Sequence, residues 1–508
     1  MTIKYRTFYI VATAYLCIPI FIFFIGFLKA VFAAVFGLLL ILGAVLAVRR
    51  LSGTKDTDGL GAKEVFIDTK TLIAAIIIFL LWCFFAGIGG VMWQTYDFCV
   101  RNAVMNDLVE LKWPLFYDMS LQQNPEVHAY FGDGTFAFVY YVTYWMVPAL
   151  AGKLFGITVG RIVLLLWSAF GIMLAFIGVA FINKKATIIT ALIFVFFSGI
   201  DMLPYAARIM LNNADNVFSA EGYAEYFTFC SNTTSIFNVF NQVIPVWLIV
   251  TLLMTCDGRD TGFTGALTFC YSPWGTLTVF PIAIYSLIKK AREKKLEGQA
   301  FKTVLSVNNI LVPAVLVTVF GTLYMAGNSA TSLKGFVFEF YPAGGIVVRY
   351  LLLMVFDLLP FVLLLYKDCK KNGYFLVATA ILALLPFYKI TFWNDFNTRG
   401  SMAPLFVLCI LLCGVAENKI FDKSVKGKAK EKLKTLQAVF LLVMFLGGLT
   451  GLGSIFEGIM NTVTGAETAA NGIGSFGNIA DANYMYIVEE QFFVKDYSDS
   501  LYFKYLSK

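Results

Sequence analysis

Two stretches of an otherwise apolar chain hold the residue types that acid–base and phosphate chemistry require. In WQTYDFCVRNAVMNDLVELKWPLFYD, Asp97 and Arg101 fall at i, i+4 of a helix expected over Tyr96 to Lys112, so they share a face and the guanidinium orients the carboxylate. A carboxylate held in this way can act as a base towards a bound hydroxyl. Asp107 is a second catalytic candidate on that helix, Arg101 and Asn102 are candidates for the substrate cavity, and Glu110 and Asp118 follow. The plainer use of such acids is to solvate a loop and cap short helices. His128, the only histidine, reads as a loop residue within NPEVHAYFGDG.

The second stretch is WNDFNTRGSMAP, where Arg399 comes just before a new helix, with Asn397 and Asp395, a further candidate for the substrate cavity, on the same loop. An arginine there suits bidentate capture of a phosphate, assisted by the amides of the helix start. Anchorage to ordinary lipid phosphate is the equal alternative. Arg208, Arg349 and Lys389 are further phosphate candidates at similar depth, and Arg161 suits a structural pairing. Asp357 falls inside an expected membrane span, where a charge is costly and therefore functional or paired. The segment YSPWG breaks a hairpin and leaves carbonyls that need partners, which makes Tyr271 and Trp274 candidates for the same cavity.

The elements that must position these residues are membrane helices. The 508 residues are 59% hydrophobic and 14% charged, too little polar surface to cover a soluble globule. Apolar runs of membrane-spanning length predict an all-α polytopic membrane protein with about thirteen transmembrane helices. They are expected near Phe8–Leu28, Ala30–Val48, Leu72–Trp93, Gly160–Ile182, Ala186–Ile200, Val243–Cys256, Gly262–Tyr271 and Thr276–Ile288, and then at Val304–Ala326, Ile346–Tyr366, Tyr374–Ile390, Ser401–Ala416 and Leu436–Leu452. Phe136 to Phe155, rich in Tyr and Trp, is expected to lie along the outer face without crossing.

With a cytoplasmic N-terminus, alternation puts most Lys and Arg inside, in linkers at 49–70, 289–302 and 417–434, and most Asp and Glu outside. The outer loops are then 94–159 and 201–242, and the C-terminal tail is extracytoplasmic. The expected setting is the plasma membrane, with the lipid bilayer as partner and no nucleic acid. Met1 to Phe27 reads as a retained span. Nine scattered cysteines without a CxxC pair suggest neither a disulfide framework nor a zinc site. No phosphate-cradling loop, dinucleotide fingerprint, HExxH or GxSxG occurs in a supporting context. The tail after Gly453 reads as a Gly- and Asn-rich tether leading to an aromatic end, folded over a site or simply packed.

From about Leu72 to Ala416 the chain resembles the type-C glycosyltransferase (GT-C) superfamily, in the wording of an uncharacterised bacterial branch. The resemblance rests on a span, a long acidic first outer loop, and YYVTYWMVPALAGKLFGITVGR, a Tyr-rich surface helix ending in LFG before an Arg-initiated span. It implies a GT-C-like bundle organised as 1–71, two extra helices and a basic linker; 72–416, the catalytic module; and 417–508, linker, last helix and tail. It also implies inverting transfer of a sugar from a polyprenyl-phosphate carrier to a glycan, polymer or lipid acceptor, with Asp97 at the position of the first-loop acid and Arg399, on a looser match, as a carrier-phosphate ligand. The WWDYG-type signature of oligosaccharyltransferases is absent, and so is the DE pair of protein mannosyltransferases. No cofactor is certain, and a divalent metal is left open.

Other functions fit part of the same pattern. A transporter or flippase of a lipid-linked glycan would also need outer aromatics, a cationic phosphate grip and an intramembrane acid. A polysaccharide polymerase or ligase, or a non-catalytic membrane scaffold, would share the topology.

Overall fold

A computed structural model describes residues 1–51, 59, 61–121, 125–211, 219–295, 300–327, 333–391, 394–422, 428–466 and 492–508. The tether expected after Gly453 lies largely outside them, as does Trp393 of the second polar stretch. The N-terminal half holds α1 (Tyr5–Phe27), α2 (Ala30–Arg50), α3 (Thr69–Phe85), α4 (Phe98–Glu110), α5 (Pro125–Phe131), α6 (Met146–Phe155) and α7 (Ile157–Asn183). It continues through α8 (Ile188–Phe196), α9 (Met202–Met210), α10 (Asn232–Thr255), α11 (Thr261–Tyr271) and α12 (Pro273–Lys295). Then come α13 (Ala300–Val304), α14 (Val307–Ala326) and α15 (Ala343–Leu353), which passes through a π-helical turn at Met354–Leu358 into α16 (Leu359–Cys369). The chain closes with α17 (Gly373–Leu384), α18 (Asp395–Gly400), α19 (Met402–Val415) and α20 (Lys428–Thr464).

Eight helical stretches among the described residues are long and apolar enough to cross a bilayer: Tyr5–Phe27, Ala30–Arg50, Ile157–Asn183, Asn232–Thr255, Phe301–Ala326, Ala343–Cys369, Asp395–Ile420 and Leu433–Thr464. The chain is thus an all-α, multi-pass membrane protein by its architecture. The other expected spans are shorter than a bilayer crossing or less apolar. Leu72–Trp93 shortens to α3 because Gly87, Gly89 and Gly90 take positive φ and end the helix. Ala186–Ile200 holds only the nine residues of α8, roughly 14 Å of helix against a hydrocarbon core of roughly 30 Å.

Two helices form the centre. The apolar windows of Asn232–Thr255 and Asp395–Ile420 are 94% buried, whereas those of Ala30–Arg50, Ala343–Cys369 and Leu433–Thr464 are 22–28% buried and turn apolar side chains outward. Trp247 of α10 ties the centre together, stacking on Trp82 of α3 (6.0 Å) and on Phe406 of α19 (5.1 Å). The first helix is integral to the bundle: Tyr15 stacks on Trp167 of α7 at 4.2 Å, and Tyr5 Oη donates to Thr255 Oγ1 at 3.0 Å.

Loops segregate to the two ends of the bundle. At the end where α1 begins, β1 (Thr2–Lys4) pairs with β2 (Glu64–Phe66), Arg50 pairs with Asp260, and Lys185 lies 3.6 Å from Glu417. At the other end, β3 (Phe116–Asp118), β4 (Thr135–Phe138) and the tail strand β7 (Phe493–Val494) form one antiparallel sheet, and β5 (Lys334–Phe336) pairs with β6 (Tyr388–Ile390). The tail then caps α1: Lys29 N donates to Leu506 O at 2.8 Å, and Lys508 Nζ donates to Ile25 O at 2.5 Å. A cation there complements the negative end of the helix dipole and satisfies a terminal carbonyl.

Candidate active site

The site begins with a break in the central helix. Within α10, Val239 leaves helical geometry (φ −137°, ψ 36°), which frees the carbonyl of Asn238 from the helical ladder. Arg101 Nε donates to that carbonyl at 2.6 Å, and Thr95 Oγ1 donates to Asn238 Oδ1 at 3.0 Å. So anchored, buried Arg101 presents Nη2 to Asp97 at 3.3 Å, and the Asp97 side chain remains 43% exposed. Asp97 stands at the start of α4, whose Phe98 stacks on Phe240 beyond the α10 break (5.7 Å). The i, i+4 pair expected from the sequence is formed.

The second stretch reaches the same place from the far end of the chain. Asn394, in left-handed geometry with φ 55°, caps α18 by accepting from Asn397 N. Asp395 and Arg399 then form an i, i+4 ion pair on this short helix, each side chain 14% exposed. Arg399 Nε is enclosed with no hydrogen-bond acceptor among the described residues, a costly state for a buried donor. Asp97, Arg101, Asp395 and Arg399 all line one cavity of about 440 Å³, within the range of small-molecule sites.

Its remaining wall includes Tyr96, Tyr140, Thr234, Asn238, Thr398 and Phe492. Tyr140 comes from the Tyr-rich stretch, and Phe492 comes from the C-terminal tail, 4.3 Å from Tyr140 between ring centroids. Sequence reasoning did not single out these residues. One signal was available for the constellation as a whole: both ion pairs are written DFxxR, at Asp97 to Arg101 and at Asp395 to Arg399. Cys230 also lines the cavity; burial first, then the Glu221 charge, pushes its thiol well above the ordinary value, so it is a poor nucleophile.

The other candidates stand outside this cavity. Asp107 is buried and accepts from Tyr117 Oη at 2.7 Å, which fastens β3 to α4. Asn102 Nδ2 donates to Gln94 Oε1 at 2.7 Å and holds the turn after α3. Arg208 and Arg349 both grip Glu225, at 2.6 Å and 2.7 Å, and Arg349 lies over the Tyr226 ring. Lys389 donates to Tyr341 Oη at 2.6 Å from β6. Tyr271 Oη donates to Leu16 O at 2.6 Å between α11 and α1, and Trp274 is half-buried in the first turn of α12. Intramolecular partners thus engage these cations, where a carrier phosphate was expected.

Asp357 has the buried partners its position demanded. Tyr223 Oη donates to its carboxyl, and Asp201 faces it from the start of α9. Burial first and the Asp357 charge second push Asp201 well above the usual carboxylate range. Arg161 Nη2 donates to Asn106 Oδ1 at 3.3 Å, the structural pairing expected of it. Among the described residues no three carboxylate, thiol or imidazole groups converge as metal ligands.

No protein-family model matches this chain, and no curated protein or solved structure matches it either.

Proposed function

We propose that the chain is an inverting glycosyltransferase of the GT-C type, moving a sugar from a polyprenyl-phosphate carrier to a glycan, polymer or lipid acceptor on the outer face of a bacterial plasma membrane. In this reading the eight long helices are joined by α3, α8, α11, α12 and α17, each too short or too polar to cross as a helix by itself and completed by the chain that flanks it, giving about thirteen spans. α4 to α6 are surface helices of the first outer loop, the N-terminus is cytoplasmic, and the cavity opens outward.

The observation that carries the proposal is the meeting of two Asp–Arg pairs, almost 300 residues apart in sequence, on one cavity beside an apolar bundle. Asp97, half open and oriented by Arg101, receives the acceptor hydroxyl. A carboxylate is a weak base towards an alcohol, so proton transfer comes late, as the attacking oxygen acidifies. The acceptor oxygen bonds to the anomeric carbon as the carrier phosphate leaves from the opposite face. Arg399 stabilises the charge that develops on the leaving phosphate, and stabilisation of this electrostatic kind commonly supplies most of the rate in a site with no covalent step. Asp395 holds Arg399 in place before the carrier arrives.

The test is the fate of a radiolabelled polyprenyl-phosphate sugar incubated with purified protein and a cell-envelope extract, comparing wild type with Asp97→Asn. Label entering a new product only with wild type supports transfer and reveals the acceptor; full activity of Asp97→Asn sinks the mechanism. A second reading, translocation of an intact lipid-linked glycan, is favoured by the two buried acids Asp201 and Asp357, which face one another inside the bundle. Saturable translocation in liposomes without transfer would select it.

A further inference from the structure

Helix α9 has the reverse of the amphipathicity that water would select. Asp201, Tyr205 and Arg208, at i, i+4 and i+7, turn towards the protein. Asp201 is buried, Arg208 Nη1 donates to Tyr223 O at 2.8 Å, and Tyr205 lines a second cavity of about 430 Å³ that lies between α9 and α20. Leu203, Ala207, Met210 and Leu211, at i, i+4, i+7 and i+8, form the opposite stripe and are exposed, Met210 at 83% and Leu211 at 77%. A surface helix surrounded by water would bury such a stripe and turn its arginine out.

Helix α20 serves as a ruler for the height of this stripe. No charged residue interrupts it between Lys434 and Glu457, a run of roughly 33 Å against a hydrocarbon core of roughly 30 Å. Thr450 Oγ1 donates to Asp201 Oδ2 at 3.4 Å, and Tyr205 shares the second cavity with Gly453 and Glu457. Helix α9 therefore lies within roughly 10 Å of the end of the run that Glu457 marks, inside the bilayer boundary at that end. At the same height α20 turns Leu452 and Phe456 outward. The first cavity stands there too: Gly451 lies against Thr233, the neighbour of the lining residue Thr234, and Gly458 lies against Phe237, the neighbour of the lining residue Asn238.

We propose that α9 is an interfacial helix, lying in the leaflet at this end of the bundle with Leu203, Ala207, Met210 and Leu211 among the acyl chains, and that it holds the first cavity at the depth where headgroups meet those chains. Its partner is the lipid surface. Outward movement of the chain would strip the stripe of lipid, and inward movement would carry the Arg208–Glu225 pair into hydrocarbon, so α9 resists displacement in both directions. The contact with lipid rests on the bundle alone; the delivery of a lipid-linked donor to a cavity at that depth rests on the transferase reading.

The experiment uses the full chain in lipid nanodiscs, in a background lacking reactive cysteines, with a nitroxide placed singly through Leu203→Cys, Met210→Cys, Leu442→Cys or Asp118→Cys. Relaxation by oxygen, which concentrates among acyl chains, is compared with relaxation by a nickel chelate, which stays in water. Leu442, exposed in the middle of α20, reports lipid, and Asp118, exposed in β3, reports water. Labels at Leu203 and Met210 should follow Leu442, with an oxygen-to-nickel ratio several-fold above that at Asp118. Ratios no higher than the Asp118 value overturn the assignment. Met210→Asp combined with Leu211→Asp, both at exposed positions, should lower the ratio at a Leu203→Cys label several-fold. The same pair should raise the KM of transfer from a long-chain labelled carrier several-fold and leave that of a water-soluble short-chain carrier level. An equal change for both carriers, or none for either, overturns the link between α9 and the cavity. Lipid contact at α9 without label transfer from any carrier would retire the transferase and keep the anchor; transfer with α9 in water would do the reverse.

Discussion

At the scale of single residues, the two Asp–Arg pairs make different demands. Asp97→Asn keeps size and hydrogen bonding but not the base, and transfer should fall by roughly 10² to 10⁴-fold while carrier binding is retained. Arg399→Ala should act mainly on carrier binding, weakening it about tenfold or more in a filtration assay with labelled carrier, and Arg399→Lys should restore only part because the planar fork is lost. Glu221 supplies a pH prediction. Burial first, and the Asp201 charge second, push its carboxyl from 4.5 up to about 7. A carboxyl raised in the folded state binds more protons there than in the unfolded chain, so its contribution to stability is full below 4.5 and is lost as the pH rises to about 7. The interval is worth roughly 3 kcal/mol. The thermal midpoint of wild type should therefore fall across that window, and that of Glu221→Gln should fall less.

At the scale of elements, the C-terminal tail is the part whose role the sequence left open between a cover and a packed end. It does both: β7 extends the sheet of β3 and β4, Tyr502 is fully buried, and Phe492 walls the first cavity. Deleting residues 492–508 should lower the thermal midpoint, because the sheet loses a strand and the end of α1 loses its cap. It should also raise the KM for carrier several-fold by opening the cavity wall, whereas Phe492→Ala should raise KM with little change in midpoint. The helix break at Val239 belongs to the same scale. Its signal in sequence was faint, since the polar Asn238, Asn241 and Gln242 around Val239 read as an outer loop ending before Val243, and only the Arg101 bond to the freed Asn238 carbonyl gives the break a purpose.

At the scale of the whole molecule, the two ends of the bundle carry different loops. In a background lacking reactive cysteines, Cys introduced at Asp118 or Ser500 should react with an impermeant maleimide on intact cells, and Cys at Lys63 or Asp368 should react only after permeabilisation. The reverse pattern would invert the proposed topology.

Composition and apolar run length alone determined that this is a multi-pass helical membrane protein, because a bilayer leaves the backbone few other solutions. The Asp97–Arg101 pair was legible too, since a helix places i and i+4 on one face whatever surrounds it. The resemblance implied that Asp97 and Arg399 serve one site, but the residues by themselves could not bring Asp395 and Arg399 up to Asp97, close the wall with Phe492, or give Arg208 and Arg349 to Glu225. Those are meetings between segments far apart in the chain, decided by how the central helices pack. Nor could it show why some apolar runs fall short of a crossing, because run length does not reveal where three glycines with positive φ end α3 or where α8 stops after nine residues.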